Sequence, residues 1–436
     1  MSTLTLAIIV VFVLGYALIA MESLTKINKA AVALLMFVFC WVLYMVDPSP
    51  FVQLMHPEFK GIGDQFVTFA NKLITEHLGD TATTLFFLMG AMTIVEIVDQ
   101  NGGFNWVKDV MRSKSKRSLL WKIAFMTFFL SAILDNLTTS IVMIMILRKL
   151  VQDHKDRMIY ASLVIIAANS GGAFSPIGDV TTIMLWNAGM ITAGGVISEI
   201  FIPSLISMII PAFVLQFLLK GKLGGDMLET DHSGDTELLE FNGSQRKIIF
   251  AIGVGGLCFV PVFHYFTDLP PFVGILLVLG ILWTITEIFY RSLHRSKGGS
   301  EDFSKRVSNL LSRIDMSTIL FFLGILMAVA CLEEVGVLHE LGGGLNSFFQ
   351  GNHYAVTGVI GVLSSIVDNV PLVAGSMGMY PVQATGDMAV DGIFWQLLAY
   401  CAGVGGSILI IGSAAGVVVM GLEKITFGWY MKKISW

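Results

Sequence analysis

The chain has 436 residues, of which 55 % are hydrophobic and 14 % charged, with a formal net charge of -5. Soluble domains carry about 25 % charged residues, so this composition excludes an ordinary soluble protein and indicates an all-α protein that crosses a lipid membrane many times. The sequence contains no phosphate-binding loop, no metal-ligand cluster and no nucleic-acid motif, so neither an enzyme nor a nucleic-acid partner is expected.

Seven apolar runs have the length of a membrane span, which needs about 20 residues. They lie at 4–21, 28–46, 82–100, 196–219, 246–266, 271–291 and 317–335. Four other apolar stretches are interrupted by polar residues or helix breakers: 119–149, 158–192, 353–383 and 393–421. We predict a long loop with an interfacial helix at 51–80, between the second and third spans.

The positions of Lys and Arg predict which side of the membrane each loop occupies. Basic residues cluster at 108–117, 148–157, 220–247 and 291–313. Because basic loops remain in the cytoplasm, the linker 221–245 is predicted to be cytoplasmic and the N-terminus to lie outside. No Lys or Arg occurs between Arg313 and Lys424, so the loops in this region should face outside.

The stretch 119–149 lies between two segments that are both predicted to be cytoplasmic. Its apolar part would form a helix of about 43 Å, too long for one straight crossing and too short for two. We therefore predict a re-entrant hairpin with Asp135 and Asn136 at its tip, near the membrane midplane. The alternative is one kinked span that breaks the charge rule.

Three segments of the first half recur in the second half at offsets of 233 or 234 residues. The matched pairs are TLFFLMGAMTIVEIVDQNGG (84–103) with TILFFLGILMAVACLEEVGV (318–337), SAILDN (131–136) with SSIVDN (364–369), and NSGGAFSPIG (169–178) with GVGGSILIIG (403–412). The second hairpin, 353–383, lacks basic flanks and should enter from outside, so the repeats are predicted to be inverted. Such repeats are typical of secondary transporters.

The repeats divide the chain into residues 1–220, the linker 221–245 and residues 246–436. Each repeat is predicted to contain a broken helix, 158–192 and 393–421, because glycines and a proline interrupt both segments. The unwound parts are expected at 170–178 and near Gly405, Gly406 and Gly412. A counterpart of the span 196–219 would extend past Trp436, so a final span is expected to be missing.

Polar oxygens concentrate at the hairpin tips and unwound segments. They belong to Asp135, Asn136, Thr138, Thr139, Asn169, Ser170, Ser175, Asp179, Thr181, Thr182, Ser364, Ser365, Asp368, Asn369, Ser407 and Ser413. Oxygen ligands suit a hard cation, and we expect no Arg or Lys in the membrane to hold an anion. We predict that a cation and protons share Asp135, Asn136, Asp368 and Asn369.

Each of these residues also has a purely structural interpretation. Aspartates at helix starts act as N-caps, although Asn or Ser would cap without a buried charge, so capping alone does not explain matched aspartates at 135 and 368. Asp179 follows helix breakers and could be a simple N-cap, and the hydroxyls of Thr181 and Thr182 could bond back to helix carbonyls. Acidic residues near span ends, such as Glu333 and Glu334, are expected to be solvated.

The motifs SAILDNLTTSI, NSGGAFSPIGDVTT, SSIVDNVPLVAG, GGSILIIGSAAGVVVMG and LEKITFGWYMKKIS resemble those of bacterial NhaD-type sodium/proton antiporters, members of the ion transporter superfamily. The resemblance covers residues 80–436. It implies exchange of Na⁺ or Li⁺ for H⁺ across the bacterial inner membrane, without a cofactor, by a homodimer. By position, it places the ion-binding residues at Asp135, Asn136, Asn169, Asp179, Thr181, Thr182, Asp368, Asn369 and Ser407.

A Na⁺-coupled symporter of dicarboxylates or similar anions is the main alternative. In such a protein the paired Asn residues would hold Na⁺, and helix N-termini would hold the anion. Aspartates at both hairpin tips oppose this alternative, because they would repel an anion placed between them. A channel or a membrane-embedded hydrolase fits less well, since the repeats are antiparallel and no His or Cys accompanies the aspartates.

Overall fold

A computed structural model describes residues 2–111, 113, 115–219, 221, 241–297, 310–312, 314–366 and 368–436. Most of the predicted linker 221–245 and part of the basic segment 291–313 therefore lie outside the described residues. Within the described ranges the chain is helical, apart from turns and one isolated bridge between Gln383 and Ala389. Seven of these helices are long and apolar enough to cross a membrane, which confirms a polytopic helical membrane protein.

The helices of the first half are α1 (Thr3–Ala20), α2 (Glu22–Thr25), α3 (Lys29–Val46), α4 (Ser49–Met55), α5 (Gln65–Gln100), α6 (Asn105–Met111), α7 (Lys116–Leu134), α8 (Asn136–Leu150), α9 (His154–Ala173), α10 (Val180–Asn187) and α11 (Ala193–Leu215). Those described in the second half are α12 (Gly243–Thr267), α13 (Pro271–Lys297), α14 (Met316–Glu334), α15 (Val337–Phe348), α16 (His353–Ser364), α17 (Asn369–Met379), α18 (Ile393–Gly405), α19 (Ala414–Glu423) and α20 (Phe427–Lys433).

Each of the seven predicted spans coincides with a helix, but α5 is much longer than the sequence suggested. It has 36 residues and would extend about 54 Å, so the predicted loop 51–80 is wrong from residue 65 onward. The first half of α5 is polar, and its Lys72 and Glu76 form an ion pair of 3.4 Å one turn apart. Such pairs stabilise an exposed helix, whereas the polar composition alone resembles a loop.

Both predicted hairpins consist of two helices separated by a short break at the expected position. Asp135 alone separates α7 from α8, and residues 365–368 separate α16 from α17. Asp135 has a φ of 82°, a conformation that residues other than glycine rarely adopt. Its side chain compensates by accepting hydrogen bonds from the Thr138 backbone N–H at 2.8 Å and hydroxyl at 2.9 Å.

The two predicted broken helices are also interrupted. The breaks cover residues 174–179 between α9 and α10, and residues 406–413 between α18 and α19. The first break begins later than the predicted interval 170–178, since residues 170–173 complete the last turn of α9. Glycines at 171 and 172 are tolerated in this turn because neighbouring backbone packs against them.

Matched serines join each hairpin to its broken helix. The Ser131 hydroxyl on α7 donates to the Ala168 carbonyl on α9 at 2.6 Å. The Ser364 hydroxyl on α16 donates to the Ala402 carbonyl on α18 at 2.7 Å. These two bonds occupy equivalent positions in the segments that match in sequence.

Matched glycines allow the same helix pairs to approach closely. A Cβ atom on Gly171 would overlap the backbone of Phe128, and one on Gly405 would overlap the backbone of Gly361. The helix pairs α7–α9 and α16–α18 therefore pack backbone against backbone. Any larger residue at these two glycines would separate the helices.

Two polar fastenings join the first half to the second. Thr192 donates its backbone N–H and hydroxyl to the Asp391 carboxylate at 2.7 and 2.6 Å. Elsewhere, the Glu423 carboxylate at the end of α19 accepts from Arg148 Nε at 2.7 Å and Arg157 Nε at 2.6 Å. Glu423 is only 1 % exposed, so these two arginines neutralise a buried charge.

The remaining long helices pack beside this hairpin and broken-helix unit. Helix α3 packs against α1 and α14, and α5 packs against α12 and α13. Large apolar side chains point outward on several helices; Val13, Val42 and Ile210 are each more than half exposed. An apolar surface of this kind is stable in lipid, where it avoids water.

Candidate functional site

The carboxylate of Asp179 lies at the centre of the largest buried polar network described here. Asp179 is the N-cap of α10 and is 1 % exposed. Its Oδ1 accepts from the Thr181 backbone N–H and hydroxyl, both at 3.0 Å. Its Oδ2 accepts from Asn136 Nδ2 at 2.7 Å, and Asn369 Nδ2 lies 3.3 Å from both oxygens. The tips of both hairpins thus meet at one carboxylate.

Asn169 extends the network to the second broken helix. Its Oδ1 accepts from Asn136 Nδ2 at 3.2 Å, and its Nδ2 donates to the hydroxyls of Ser407 at 2.9 Å and Ser413 at 3.0 Å. The Tyr430 hydroxyl then donates to the Ser407 carbonyl at 2.9 Å. Polar groups from both hairpins and both broken helices therefore form one connected set.

The two threonines that follow Asp179 have different roles. Thr181 binds the carboxylate directly, as described above. The Thr182 hydroxyl donates to the Asp179 backbone carbonyl at 2.9 Å, so it bonds back to the chain, as its structural interpretation predicts.

The two tip aspartates turn away from this network. Asp135 caps α8 through Thr138, whereas Asp368 Oδ2 lies 3.3 Å from the Lys29 ammonium. Both carboxylates nevertheless interact electrostatically with Asp179. Among the predicted site residues, the structure joins these by hydrogen bonds: Asn136, Asn169, Asp179, Thr181, Thr182, Asn369 and Ser407. Asp135 and Asp368 are neighbours of that set.

Lys29 is a site neighbour that the sequence did not reveal. It is the first residue of α3, and its ammonium also lies 4.3 Å from the centroid of the Phe321 ring. The expectation that no lysine lies near the membrane site therefore fails at the second hairpin tip. The available signal was a lysine within the predicted span 28–46, since such a side chain must find an anion or reach water.

A second buried carboxylate was also missed. Glu334, expected to be solvated at a span end, is 6 % exposed and accepts from His56 Nε2 and His77 Nε2, both at 2.8 Å. His56 follows α4, and His77 lies within the unexpected first half of α5. Because the sequence predicted a loop there, it gave no reason to place His77 beside Glu334.

The Asp179 network has the chemistry of a site for a monovalent hard cation. Helices α8, α10, α17 and α19 all begin at or next to network residues, and helix N-termini favour negative charge. A single central carboxylate with amide and hydroxyl oxygens balances one positive charge. Within the described ranges, no group of three or more His, Cys, Asp or Glu side chains could hold a metal ion, which argues against a transition-metal centre.

Two further hydroxyls are available at the edge of the network. Ser170 Oγ and Thr139 Oγ1 are buried, and neither has a hydrogen-bond partner among the described residues. Each directly follows or lies one turn beyond a network asparagine, Asn169 and Asn136. A buried hydroxyl without a partner is unfavourable, so an ion or water entering the network would gain these oxygens as ligands.

The sequence profile of the citrate transporter family matches residues 16–405. Sodium/proton antiporters 1 and 2 of Arabidopsis thaliana are 42 % and 40 % identical to this chain, over 98 % and 97 % of it and over 69 % and 94 % of their own lengths. The Na⁺/H⁺ antiporter NhaD of Vibrio parahaemolyticus is 31 % identical over 81 % of this chain and 86 % of its own. These similarities confirm the resemblance to NhaD-type antiporters.

Proposed function

The chain belongs to the citrate transporter family, a family of membrane carriers, and on that premise we propose that it exchanges Na⁺ or Li⁺ for H⁺ across a membrane. The observation that carries this proposal is the buried Asp179 carboxylate, which receives donors from both hairpin tips. The names of its relatives, sodium/proton antiporters from a plant and from bacteria, support the same activity.

The exchange step uses Asp179 as a common site for both ions. A proton leaves the carboxylate, and Na⁺ takes its place with no change in the charge of the site. Asn136 and Asn369 then rotate their amides so that oxygens rather than NH₂ groups face the ion. The hydroxyls of Ser170 and Thr139 can complete the oxygen shell. Asp135 and Asp368 influence the site through their charges and can carry additional protons.

The proposal includes an architecture for the transport cycle. The two halves are inverted repeats with re-entrant hairpins, and the unit of hairpins and broken helices moves against the remaining helices in alternating access. The matched serine and glycine contacts support internal symmetry, and the basic clusters support an outside N-terminus. The resemblance adds a homodimer in the bacterial inner membrane.

Symport of Na⁺ with a citrate-like anion is the competing proposal, because the family is described by that substrate. The charge of the site argues against it. An anion at the network would meet Asp179 directly, with Asp135 and Asp368 close enough to act on that carboxylate. The single ammonium of Lys29 is already paired with Asp368.

Proton flux in proteoliposomes tests the proposal. Purified protein should release protons in response to Na⁺ or Li⁺, and more weakly to K⁺, while citrate with Na⁺ should add nothing. Asp179→Asn should abolish the response, whereas Asp268→Asn, at an exposed aspartate outside the network, should retain it. Cation-independent citrate uptake, or full activity of Asp179→Asn, would refute the antiport proposal.

A further inference from the structure

The ion pair between Lys29 and Asp368 joins two parts of the molecule that are distant in sequence. Lys29 Nζ lies 3.3 Å from Asp368 Oδ2, and the two side chains are 26 % and 18 % exposed. Lys29 begins α3, whereas Asp368 is at the tip of the second hairpin. The pair therefore connects this tip to a helix outside the hairpin and broken-helix unit.

Helix capping does not explain the position of the Asp368 carboxylate. Asp135, its match in the first half, caps α8 by accepting from Thr138. Asp368 also precedes a helix, but its side chain makes no capping hydrogen bond. Its charge is directed to the lysine instead, next to Asn369, which donates to Asp179.

The surroundings of Lys29 hold its ammonium in place. The Phe321 ring, 4.3 Å away, stabilises a cation through its electron-rich face. The Tyr16 hydroxyl is buried without a hydrogen-bond partner among the described residues, and it interacts electrostatically with Asp368. Three helices thus supply an aromatic face, a hydroxyl and an ammonium around one carboxylate, a polar cluster distinct from the Asp179 network.

From this geometry we propose that Lys29 is a tethered internal cation that competes with transported Na⁺ for the Asp368 carboxylate. The ammonium and Na⁺ carry the same charge, and the carboxylate cannot be fully paired with both. While Lys29 is paired, it holds the second hairpin tip to α3; Na⁺ binding at Asp368 requires the lysine to leave. Lys29 is a positioning residue that lowers the apparent affinity for Na⁺. The Tyr16 hydroxyl becomes an added oxygen for the ion.

The inference rests on the proposed function and is tested by Na⁺ titration of single variants. Lys29→Met should lower the half-saturating Na⁺ concentration about two- to fivefold, the range expected for loss of a partly exposed ion pair. Lys26→Met, at an exposed lysine in the same connection, should change nothing. Lys29→Arg keeps the charge and should behave like the wild type.

Two readouts separate competition from a structural role. One is Na⁺-driven proton flux, and the other is Na⁺-dependent thermal stabilisation of the purified protein at constant ionic strength, which does not require transport. In an Asp368→Asn background, Lys29→Met should no longer alter the Na⁺ response. Should Lys29→Met fail to fold, Lys29→Gln keeps a donor toward Asp368 and should show the same decrease in half-saturating Na⁺.

An unchanged or higher half-saturating Na⁺ concentration in Lys29→Met would overturn the inference. An equal shift in the Asp368→Asn background would also overturn it, because the effect would then not pass through that carboxylate. The proposed function fails separately, through the absence of Na⁺-driven proton flux in the wild-type protein.

Discussion

The two hairpin tips are equivalent in sequence but unequal in geometry, and alanine substitutions should reveal the difference. Asn136 donates to Asp179 at 2.7 Å and also to Asn169 at 3.2 Å. Asn369 contacts the same carboxylate only through one donor shared between two oxygens at 3.3 Å. We expect Asn136→Ala to destabilise the protein more than Asn369→Ala.

The size of the difference follows from the strength of hydrogen bonds to a charged group. Such bonds contribute about 1.5–3 kcal/mol, the short ones more than the long ones. Loss of the short bond and its companion from Asn136 should cost about 3 kcal/mol, and loss of the shared long bond from Asn369 about 1–1.5 kcal/mol. The resulting difference of about 1–2 kcal/mol corresponds to a five- to thirtyfold change in the folding equilibrium.

Thermal unfolding in Na⁺-free detergent solution measures this difference without any assumption about transport. Asn71→Ala is a suitable control, because Asn71 is exposed on α5 and bonds only to its own helix at the Val67 carbonyl. Its unfolding midpoint should match that of the wild type. Equal shifts for the two tip variants, or a larger shift for Asn369→Ala, would refute the unequal roles assigned to the two asparagines.

Three other predictions concern the frame around the site. Glu423→Gln should cost about 2–3 kcal/mol in unfolding free energy, less than a fully buried pair because one arginine is 44 % exposed, while Glu340→Gln should cost little. Gly405→Ala should destabilise by about 1–3 kcal/mol through overlap with facing backbone, whereas Gly358→Ala, with open space around it on α16, should be tolerated; equal melting midpoints would contradict this. Backbone N–H donors, first that of Asp156, lower the pKa of Asp153, so its cap stabilises the protein above the usual aspartate pKa and this stability is lost as pH falls below it; Asp153→Asn should show a flatter loss of melting temperature below about pH 4, and an unchanged slope would refute the assignment.

The sequence predicted the backbone pattern of the site better than the direction of its side chains. Breaks near Asp135, after Ser364 and around Gly178 and Gly412 follow from local rules, because helix breakers and polar residues in an apolar segment act within a few positions. Which residue of each Asp-Asn pair faces the centre depends on contacts across the fold. The asparagines turn inward because they can donate to Asp179, whereas two more inward carboxylates would repel it.

Long-range partners explain the other differences. Lys29 looks like an ordinary residue at a span end until the chain brings Asp368 to it across 339 positions. The first half of α5 looks like a loop because its polar residues do not show an apolar stripe, yet His77 in this segment pairs with Glu334, 257 positions away. No local pattern encodes these two contacts.

The network around Asp179 also bears on how the protein is made. Membrane proteins are synthesised from the N-terminus, so α7 to α11 enter the bilayer while Asn369, Ser407 and Ser413 are still unsynthesised. During that interval Asp179 has Asn136 and Thr181 as donors, but Asn169 lacks both of its serine acceptors. The arginines at 148 and 157 likewise wait for Glu423, which follows near the end of the chain. The first half therefore cannot complete its own interior, and insertion of the last helices is the step that closes it.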